Sequence, residues 1–549
     1  MTLRRLLQVL AIWALTLSAA SLAVFCSVRV DRSRAEAGPF IVSVWQRGTR
    51  VARNVQPNAA GAAQVLAAPA GERGAQRVTE RVVDSAPIFG HNRLFIAASV
   101  APARDGVSVS YQGKTAYATP DDLRKLEAYE PIVEIGPVST ILGVNVDKVL
   151  GALSTELGTT PEQLLQRGSF RRFAVNSDAA YPRKATEADV TADAIKSSVQ
   201  DAARYLLRNQ LRDGSFRYEL NAMTGSNAEE YNLPRHAGAT YFLARAANQF
   251  HDPALLRAAQ RAGAYMTDNA TLHCGAHACI GQGEQVDVGA SALALLAFVE
   301  LIDGGADDLR ALSLDLAGFL RSQQRNDGEF QHLYSVKEQH PIDVQLEYYT
   351  GEAAFALSRV HRVSHDARDL DAARRALSFL VVRSRLFLGA QYFWGSEHWT
   401  CQALEDLWQR APDRVALDFC LRWQAANRRM QFDSPPAPSE YDGAISRGPF
   451  MTPRLTPLAS RMEAAVATLA VARAAGAPAA EVAALEHEIK RGFAFLFRYQ
   501  FSPGPSYLMP NPRLLAGGFP GSSIDLHVRI DYPQHAGGAL LRYWELLQK

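Results

Sequence analysis

The stretches RHAGATYFLARA, at residues 235–246, and QHAGGALLRYWEL, at residues 534–546, decide the fold of this chain. Each begins with polar residues, passes through small residues and continues as an apolar run with the period of an amphipathic helix. Related stretches begin at Asp287, Tyr349, Glu397 and Ser460. The aligned small residues recur at intervals of about 50–70 residues, which is typical of a repeat architecture built from helix pairs.

A second class of helix, richer in charged residues, alternates with the first. Its members are predicted at residues 191–211, 252–268, 307–323, 366–382, 414–426 and 479–499. Asp-Gly turns follow two of them, in NQLRDGSF from Asn209 and SQQRNDGEF from Ser322. The pairs predict a mainly α fold, a six-hairpin α/α toroid over residues 183–549 with the small-residue helices inside. The alternative is an open solenoid, but its polar terminal caps are not evident.

Residues 38–182 have a different pattern, alternating with period two and rich in β-branched side chains. Strands are predicted at residues 40–45, 49–53, 94–100, 107–111 and 114–118. Helices are predicted to start at Thr119 and Thr160, each followed by proline and acidic residues. Residues 58–77 fit either a helix broken at Pro69 or a linker. This part therefore predicts a small α+β domain.

Residues 1–37 contain an uncharged, mostly apolar run at 6–28 that follows Arg4 and Arg5. Signal peptides use about 7–15 apolar residues and a membrane-spanning helix needs about 20. We therefore predict a single-pass inner-membrane anchor with the body in the periplasm; the alternative is secretion after signal cleavage.

The chain is 48% hydrophobic and carries 58 basic against 56 acidic residues, which excludes wholesale disorder and argues against a nucleic-acid partner.

The spacing of the cysteines indicates a disulfide and does not indicate a metal site. Cys274 and Cys279 lie in HCGAHAC, whose spacing matches no standard zinc site, and an oxidising envelope favours a disulfide between them over free thiols or metal. Cys401 and Cys420 lie on apolar helix faces and are predicted to be ordinary core residues. No cofactor is predicted.

In a closed toroid, the starts of the inner helices line one mouth. The candidate catalytic residues there are Glu347, Tyr348, Asp287, Tyr532 and His236. The candidate substrate-binding residues are Arg235, Tyr349, Glu397, His398, Trp399, Arg461, Asp531 and His535. The same regions also hold Glu352 and Glu463. Each residue alone fits helix capping or core packing, but together these aromatic faces, acids and donors suit a polysaccharide or oligosaccharide.

Two resemblances to known families follow from these motifs. Residues 188–549, with EEYNLPRHAGATYFLARA, the DGSF turns and IDYPQHAGGALL, resemble the catalytic portion of uronyl epimerases acting at carbon five, and are similar to six-hairpin glycosidases and polysaccharide lyases. Residues 39–182, with FIVSVWQRGTRVAR and RLFIAASVAPARDGVSVSYQGKTAYATPDDL, resemble the small AMMECR domain family, although its RGCIG-type segment is missing. The first resemblance implies a toroid acting on saccharides, and the second implies a fold without an activity.

Three chemistries remain open for the toroid. An epimerase or lyase removes a proton next to a carboxylate, which Arg235 or Arg461 would hold. A glycoside hydrolase needs two carboxylates, for which the candidates are Asp287, Glu347, Glu397 and Asp531. The third is a non-catalytic polysaccharide-binding component of an envelope or exopolysaccharide assembly. The expected function is a membrane-anchored, extracytoplasmic, carbohydrate-active protein, with polysaccharide modification as its activity.

Overall fold

The computed structural model describes residues 38–67, 75–130, 143–177, 181–346, 348–386, 397–435, 437–446, 452–501 and 506–549. The apolar run at 6–28, on which the anchor prediction depends, lies outside these ranges. Within them, no helix has the length and apolar character needed to cross a membrane.

The amino-terminal part is built on an antiparallel sheet. Its strands are β1 (Phe40–Gln46), β2 (Thr49–Gln56), β3 (Gln76–Pro87), β4 (Gly106–Tyr111), β5 (Lys114–Ala118) and β6 (Ser169–Ser177). Its helices are α1 (Ala59–Ala67), α2 (Arg93–Ser99), α3 (Pro120–Lys125), α4 (Val146–Leu157) and α5 (Pro161–Arg167). In the described ranges the strand order is β2-β1-β3-β6-β4-β5. The boundary predicted near residue 182 and the AMMECR resemblance stay predictions.

One predicted strand is wrong. Residues 94–100 were expected to be extended, but most of them form α2. The side chain of Asn92 accepts a hydrogen bond from the Leu94 amide at 2.8 Å, and so caps the start of a helix that buries Ile96. The predicted starts at Thr119 and Thr160 are confirmed, since both side chains cap helices with proline in the first turn.

The carboxyl-terminal part is mainly helical. Its helices are α6 (Ala192–Asn209), α7 (Leu233–Phe250), α8 (Pro253–Ala270), α9 (Val288–Asp303), α10 (Arg310–Ser322), α11 (Tyr349–Ser364), α12 (Ala367–Leu386), α13 (Glu397–Trp408), α14 (Arg414–Met430), α15 (Leu455–Ala474), α16 (Ala479–Tyr499), α17 (Pro512–Leu515) and α18 (Asp531–Leu547). Short strands join them: β7 (Glu219–Asn221), β8 (Thr271–Cys274), β9 (His277–Ile280), β10 (Gln285–Asp287), β11 (Leu333–Ser335), β12 (His340–Ile342) and β13 (His527–Arg529).

The small-residue helices close into a ring, as predicted. In the part of the chain that the structure describes, α7, α9, α11, α13, α15 and α18 each pack against the next, and α18 packs against α7. The charged helices α6, α8, α10, α12, α14 and α16 form the outer layer. The last helix pairs with the first outer helix, α6, which completes the sixth hairpin. The fold is a closed six-hairpin α/α toroid.

Glycines allow the first and last inner helices to approach closely. A β-carbon on Gly537 would collide with the ring of Phe242, and one on Gly238 would collide with the side chain of Gln534. The His-Ala-Gly phrase therefore recurs where α7 and α18 meet, because this junction requires small residues.

The amino-terminal part packs directly against the toroid. The Trp45 indole lies 5.8 Å from the Tyr507 ring, and the Tyr507 hydroxyl donates to the Asp121 carboxylate at 2.6 Å. The Tyr181 hydroxyl donates to the Tyr499 carbonyl at 3.0 Å. Buried aromatic and polar contacts thus join the two parts.

The structure contains a disulfide that the sequence analysis did not predict. Cys274 and Cys279 are bonded across the β8–β9 hairpin, as expected. Cys401 and Cys420 are also bonded, so their prediction as ordinary core residues is wrong. Their apolar faces were correctly recognised, but their proximity arises only when α13 and α14 pack as a hairpin, with the two α-carbons 6.0 Å apart.

Candidate active site

Three inner helices direct polar side chains to one place inside the ring. His398 on α13, Glu463 on α15 and His535 on α18 form a group that we call the central triad. His535 Nδ1 lies 2.8 Å from Glu463 Oε2, and the His398 and His535 ring centroids are 5.5 Å apart. His398 and Glu463 are buried, and the His535 side chain is 13% exposed. The triad is therefore an almost enclosed polar group inside the ring.

An aromatic surface adjoins the central triad. The Trp399 indole lies 4.5 Å from the His398 ring and 6.1 Å from the His535 ring, measured between centroids. The indole also stacks on the Phe355 ring, with a centroid distance of 6.1 Å and an interplanar angle of 30°. Aromatic faces of this kind pack against the C–H groups of sugars.

Small residues give the triad and the indole their space. A β-carbon on Gly538 would lie 2.9 Å from Glu463 Oε1, and one on Gly351 would lie 2.8 Å from the Trp399 β-carbon. Both distances are shorter than ordinary carbon contacts, so glycine at these positions lets the larger side chains reach the centre of the ring.

The Glu463 carboxylate changes the proton affinity of His535. Burial alone lowers the pKa of this imidazole, but the charge and hydrogen bond of Glu463, with a further contribution from Asp531, outweigh it. The net result is a pKa above the ordinary value, since the imidazolium is stabilised by its acidic neighbours.

Two arginines share one carboxylate beside the triad. Arg529 Nε donates to Asp531 at 2.7 Å, and Arg235 Nε lies 3.5 Å from the same carboxylate. Arg235 also donates to the Tyr218 hydroxyl at 2.6 Å, and the Arg529 guanidinium lies 4.8 Å from the Tyr532 ring centre. Arg529 Nη1 also lies 3.9 Å from Glu219 Oε2, so the two guanidinium groups face two carboxylates. The Arg235 side chain is 37% exposed, which leaves it accessible to an anionic part of a ligand.

A buried acid lies on the side of the ring formed by α9 and α11. Burial, followed by the charge of Asp287, raises the pKa of Glu352 to about 8, and its Oε2 has no hydrogen-bond partner. Asp287 caps α9 by accepting from the Ala290 amide at 2.6 Å, and burial raises its pKa too. A β-carbon on Gly289 would collide with Glu352 and Tyr349, so these side chains occupy one small space.

His236, a predicted catalytic residue, lies away from the central triad. Its ring is fully buried between α7 and α8, where Nδ1 pairs with the Tyr231 hydroxyl at 2.6 Å and Nε2 donates to the Ala262 carbonyl at 2.9 Å. Burial lowers its pKa to about 4. A neutral imidazole with both nitrogens engaged links the inner and outer layers, and the structure does not bring it to the central triad.

The remaining predicted residues occupy several positions. Tyr348 is 39% exposed, with its ring 6.4 Å from that of His398. Arg461 and Tyr532 are buried, and burial raises the pKa of Tyr532 to about 12. Glu397 begins α13, but its side chain is outside the described part of the chain, as is the whole of Glu347. Neither carboxylate is therefore located by the structure.

The opposite end of the ring is occupied by ion pairs. They join the carboxyl-terminal ends of the inner helices and border a cavity of about 860 Å³. The pairs are Arg245–Glu545, Arg542–Glu405, Arg359–Glu300 and Arg359–Asp406. Because each guanidinium group faces a carboxylate, we assign this end a structural role and place the candidate active site at the other end.

The fold and site define the class: a closed six-hairpin α/α toroid with a polar, aromatic-lined centre. No family model and no curated protein matches the chain. Among solved structures, D-mannose isomerase has 12% identity and a TM-score of 0.51, covering 65% of this chain and 97% of its own. Cellobiose 2-epimerase from Bacillus thermoamylovorans has 10% identity and a TM-score of 0.50, covering 65% and 99%.

An unsaturated glucuronyl hydrolase specific for heparin is also similar, with 11% identity, a TM-score of 0.45, and coverage of 65% and 99%. At these identities the similarity concerns the fold. The similarity to the D-mannose isomerase and the cellobiose 2-epimerase confirms the predicted resemblance in fold to six-hairpin toroid carbohydrate-active proteins.

Sequence reasoning missed some members of the site. Arg529 lies just before α18 and Tyr218 lies directly before the short strand β7, and neither belongs to a repeated phrase, so no pattern marked them. Glu352 and Glu463 stand at the mouth in the sequence pattern, but nothing distinguished them from helix-capping acids. Their burial, which only the closed ring produces, is the distinguishing signal.

Proposed function

We propose that this protein is a saccharide-modifying enzyme of the epimerase or isomerase type, which moves a proton at a carbon next to a carbonyl or carboxylate group. The observation that carries the proposal is the pair of imidazoles, His398 and His535, whose centroids are 5.5 Å apart on different inner helices. Two such groups are what a proton removal and a proton return require.

The central triad assigns a role to each member. A hydrogen bond from Nδ1–H of His535 to Glu463 leaves Nε2 as the proton-accepting nitrogen. His398 then supplies the second proton-transferring group, and Trp399 offers a face on which a sugar ring packs. Arg235, whose side chain is 37% exposed, is placed to contact an anionic group of the substrate, and Arg529 holds Asp531 beside it.

Two proteins with the same fold support this reaction class. Two of the similar structures, with TM-scores of 0.51 and 0.50, are named as a mannose isomerase and a cellobiose 2-epimerase. We propose a polysaccharide or oligosaccharide substrate here, with two sites of reaction to be distinguished: the carbon next to a reducing-end carbonyl, and uronyl carbon five next to a carboxylate.

Glycoside hydrolysis is the second candidate because of Glu352. A buried carboxyl group with a pKa of about 8 is protonated at neutral pH, which is the state of a general acid. Asp287, whose charge acts on Glu352, is the candidate partner carboxylate. In this reaction the histidines would bind the sugar without transferring protons.

Solvent exchange in D₂O tests the first proposal. The purified protein is incubated with reducing oligosaccharides in one arm and uronate-containing polysaccharides in the other, and deuterium at carbon two or carbon five is measured by NMR. We expect exchange by the wild type and a loss of about 10²–10⁴-fold in His535→Ala and in His398→Ala, the usual contribution of an acid–base group. His340→Ala, which removes an exposed histidine paired with Glu338 at 2.9 Å, is the control.

The outcomes separate the candidate functions. Release of new reducing ends that Glu352→Gln abolishes, without deuterium exchange, would favour hydrolysis. Binding of saccharide with neither exchange nor cleavage would favour the non-catalytic envelope component.

We also propose that the body lies in the periplasm, anchored by residues 6–28. The Cys274–Cys279 and Cys401–Cys420 disulfides support this location, since such bonds persist in oxidising compartments. Alkylation of unreduced protein recovered from cells is the test: full labelling of these cysteines would contradict the location.

A further inference from the structure

We propose that the central triad of His398, Glu463 and His535 is a binding site for a divalent transition-metal ion such as Zn²⁺ or Co²⁺. The binding claim stands on the geometry of the triad. Its consequence for turnover rests on the proposed function, because the ion would use the same two imidazoles that transfer the proton.

The geometry brings three donor atoms together. One imidazole nitrogen from each histidine and one carboxylate oxygen lie within 4.8 Å of one another. One pair, His535 Nδ1 and Glu463 Oε2, is 2.8 Å apart. Metal–nitrogen and metal–oxygen bonds of about 2.0–2.2 Å fit a group of this size after small side-chain movements.

The ligand types select the class of ion. Two imidazoles with one carboxylate suit Zn²⁺ and its first-row neighbours, whereas Ca²⁺ and Mg²⁺ prefer sites made of oxygen atoms. Three protein ligands leave a fourth position for water or a sugar hydroxyl. The site therefore has the composition of an open metal centre.

The surroundings hold the ligands in place. His398, Glu463 and His535 belong to three different inner helices, and Trp399 packs beside both imidazoles. Gly538 leaves the space in which the Glu463 carboxylate lies. Little ordering of side chains is needed when an ion binds, which favours affinity.

The nearby charges make the position tolerant of a cation. Glu463 contributes one negative charge within the triad, and Asp531 acts on His535 in the same direction. The positive charge of Arg235 acts on His535 in the opposite direction, but Arg235 is itself paired with Asp531. Asp531 is paired with both Arg235 and Arg529, so Glu463 supplies the negative charge that an ion in the triad would meet.

Occupation of the triad should inhibit proton transfer. A neutral imidazole has one lone pair on its ring nitrogens. A metal bound to His398 and His535 uses that lone pair whichever nitrogen coordinates it, so neither ring can then accept the substrate proton. Micromolar Zn²⁺ is thus expected to stop the deuterium exchange of the wild type, and a chelator is expected to restore it.

The test is direct metal binding by the purified, untagged full-length protein. Zn²⁺ is followed by isothermal titration and Co²⁺ by its visible absorption, both after chelator treatment. We expect one equivalent to bind, and at least about 100-fold weaker binding by His398→Ala, His535→Ala and Glu463→Ala, since even outer ligands change affinity by about 10–100-fold. His340→Ala is expected to bind as the wild type does.

A second kind of variant distinguishes the loss of the metal site from a loss of folding. Gly538→Ala keeps all three ligands but places a methyl group 2.9 Å from Glu463 Oε1, so it should weaken Zn²⁺ binding while the helix persists. Equal Zn²⁺ affinity in the wild type and His535→Ala would overturn the site, as would a loss of binding confined to His340→Ala. Metal binding without any deuterium exchange would keep the site and reject the proposed reaction.

Discussion

At the scale of the residue, Glu352 makes the stability of the toroid depend on pH. Its pKa rises from an ordinary value of 4.5 to about 8 on folding, so the folded state holds the extra proton between these values. Stability therefore falls as pH rises through this window and levels off above it. Glu352→Gln should abolish this loss, which amounts to at most about 5 kcal/mol at about 1.4 kcal/mol per unit of pKa.

Urea unfolding at pH 5 and pH 9 measures this effect. The expected result is a variant that gains stability over the wild type only at the higher pH. Glu338→Gln, at an exposed position, is the control and should behave as the wild type does at both pH values. A constant difference between Glu352→Gln and the wild type at the two pH values would contradict a buried, neutral carboxyl group.

Individual residues of the candidate active site also show how much of a site can be predicted from a sequence. His398, Trp399 and His535 were predicted together because a closed ring brings the starts of its inner helices to one mouth. His236 shares the His-Ala-Gly phrase with His535, yet its ring points to the outer layer and bonds to Ala262. A difference in helix rotation separates these two outcomes, and a repeated phrase does not reveal it.

At the scale of the element, the Cys401–Cys420 disulfide joins an inner helix to its outer partner. It closes a short loop of chain and so restricts the unfolded state, for which about 3 kcal/mol is typical. Replacing both cysteines with serine should lower the free energy of unfolding by about that amount in the absence of reductant. With reductant present during the measurement, variant and wild type should approach each other, and a difference that is independent of reductant would contradict the bond.

Elements were predicted best where long periodic segments determine them. The helices of the toroid have apolar stripes several turns long, whereas α2 is a seven-residue helix. RLFIAAS is apolar enough to read as a buried strand, and only the cap by Asn92 favours a helix. Short apolar segments remain ambiguous because either structure buries them.

At the scale of the whole molecule, closure of the ring was predictable from the spacing of the repeat and from the likeness of its two ends. The residues at the edge of the candidate active site were harder to predict from the sequence. Tyr218 and Asp531 lie near the short strands β7 and β13, and these strands have no periodic pattern. Their pairing joins the first and last hairpins of the ring, and it depends on closure having already brought them together.

The closed ring requires a small residue at Gly537. A β-carbon there meets the Phe242 ring at the junction between α18 and α7, so Gly537→Ala should destabilise the protein by about 1–3 kcal/mol, the usual cost of overpacking. Gly151→Ala in α4 is the matched control, because apart from its chain neighbours and the backbone of its own helix no atom lies within 4 Å of its β-carbon position, and alanine favours a helix. Thermal unfolding should show a lower midpoint for the first variant and an equal or higher one for the second. If both variants unfold like the wild type, α18 does not pack against α7 as closely as the closed ring requires.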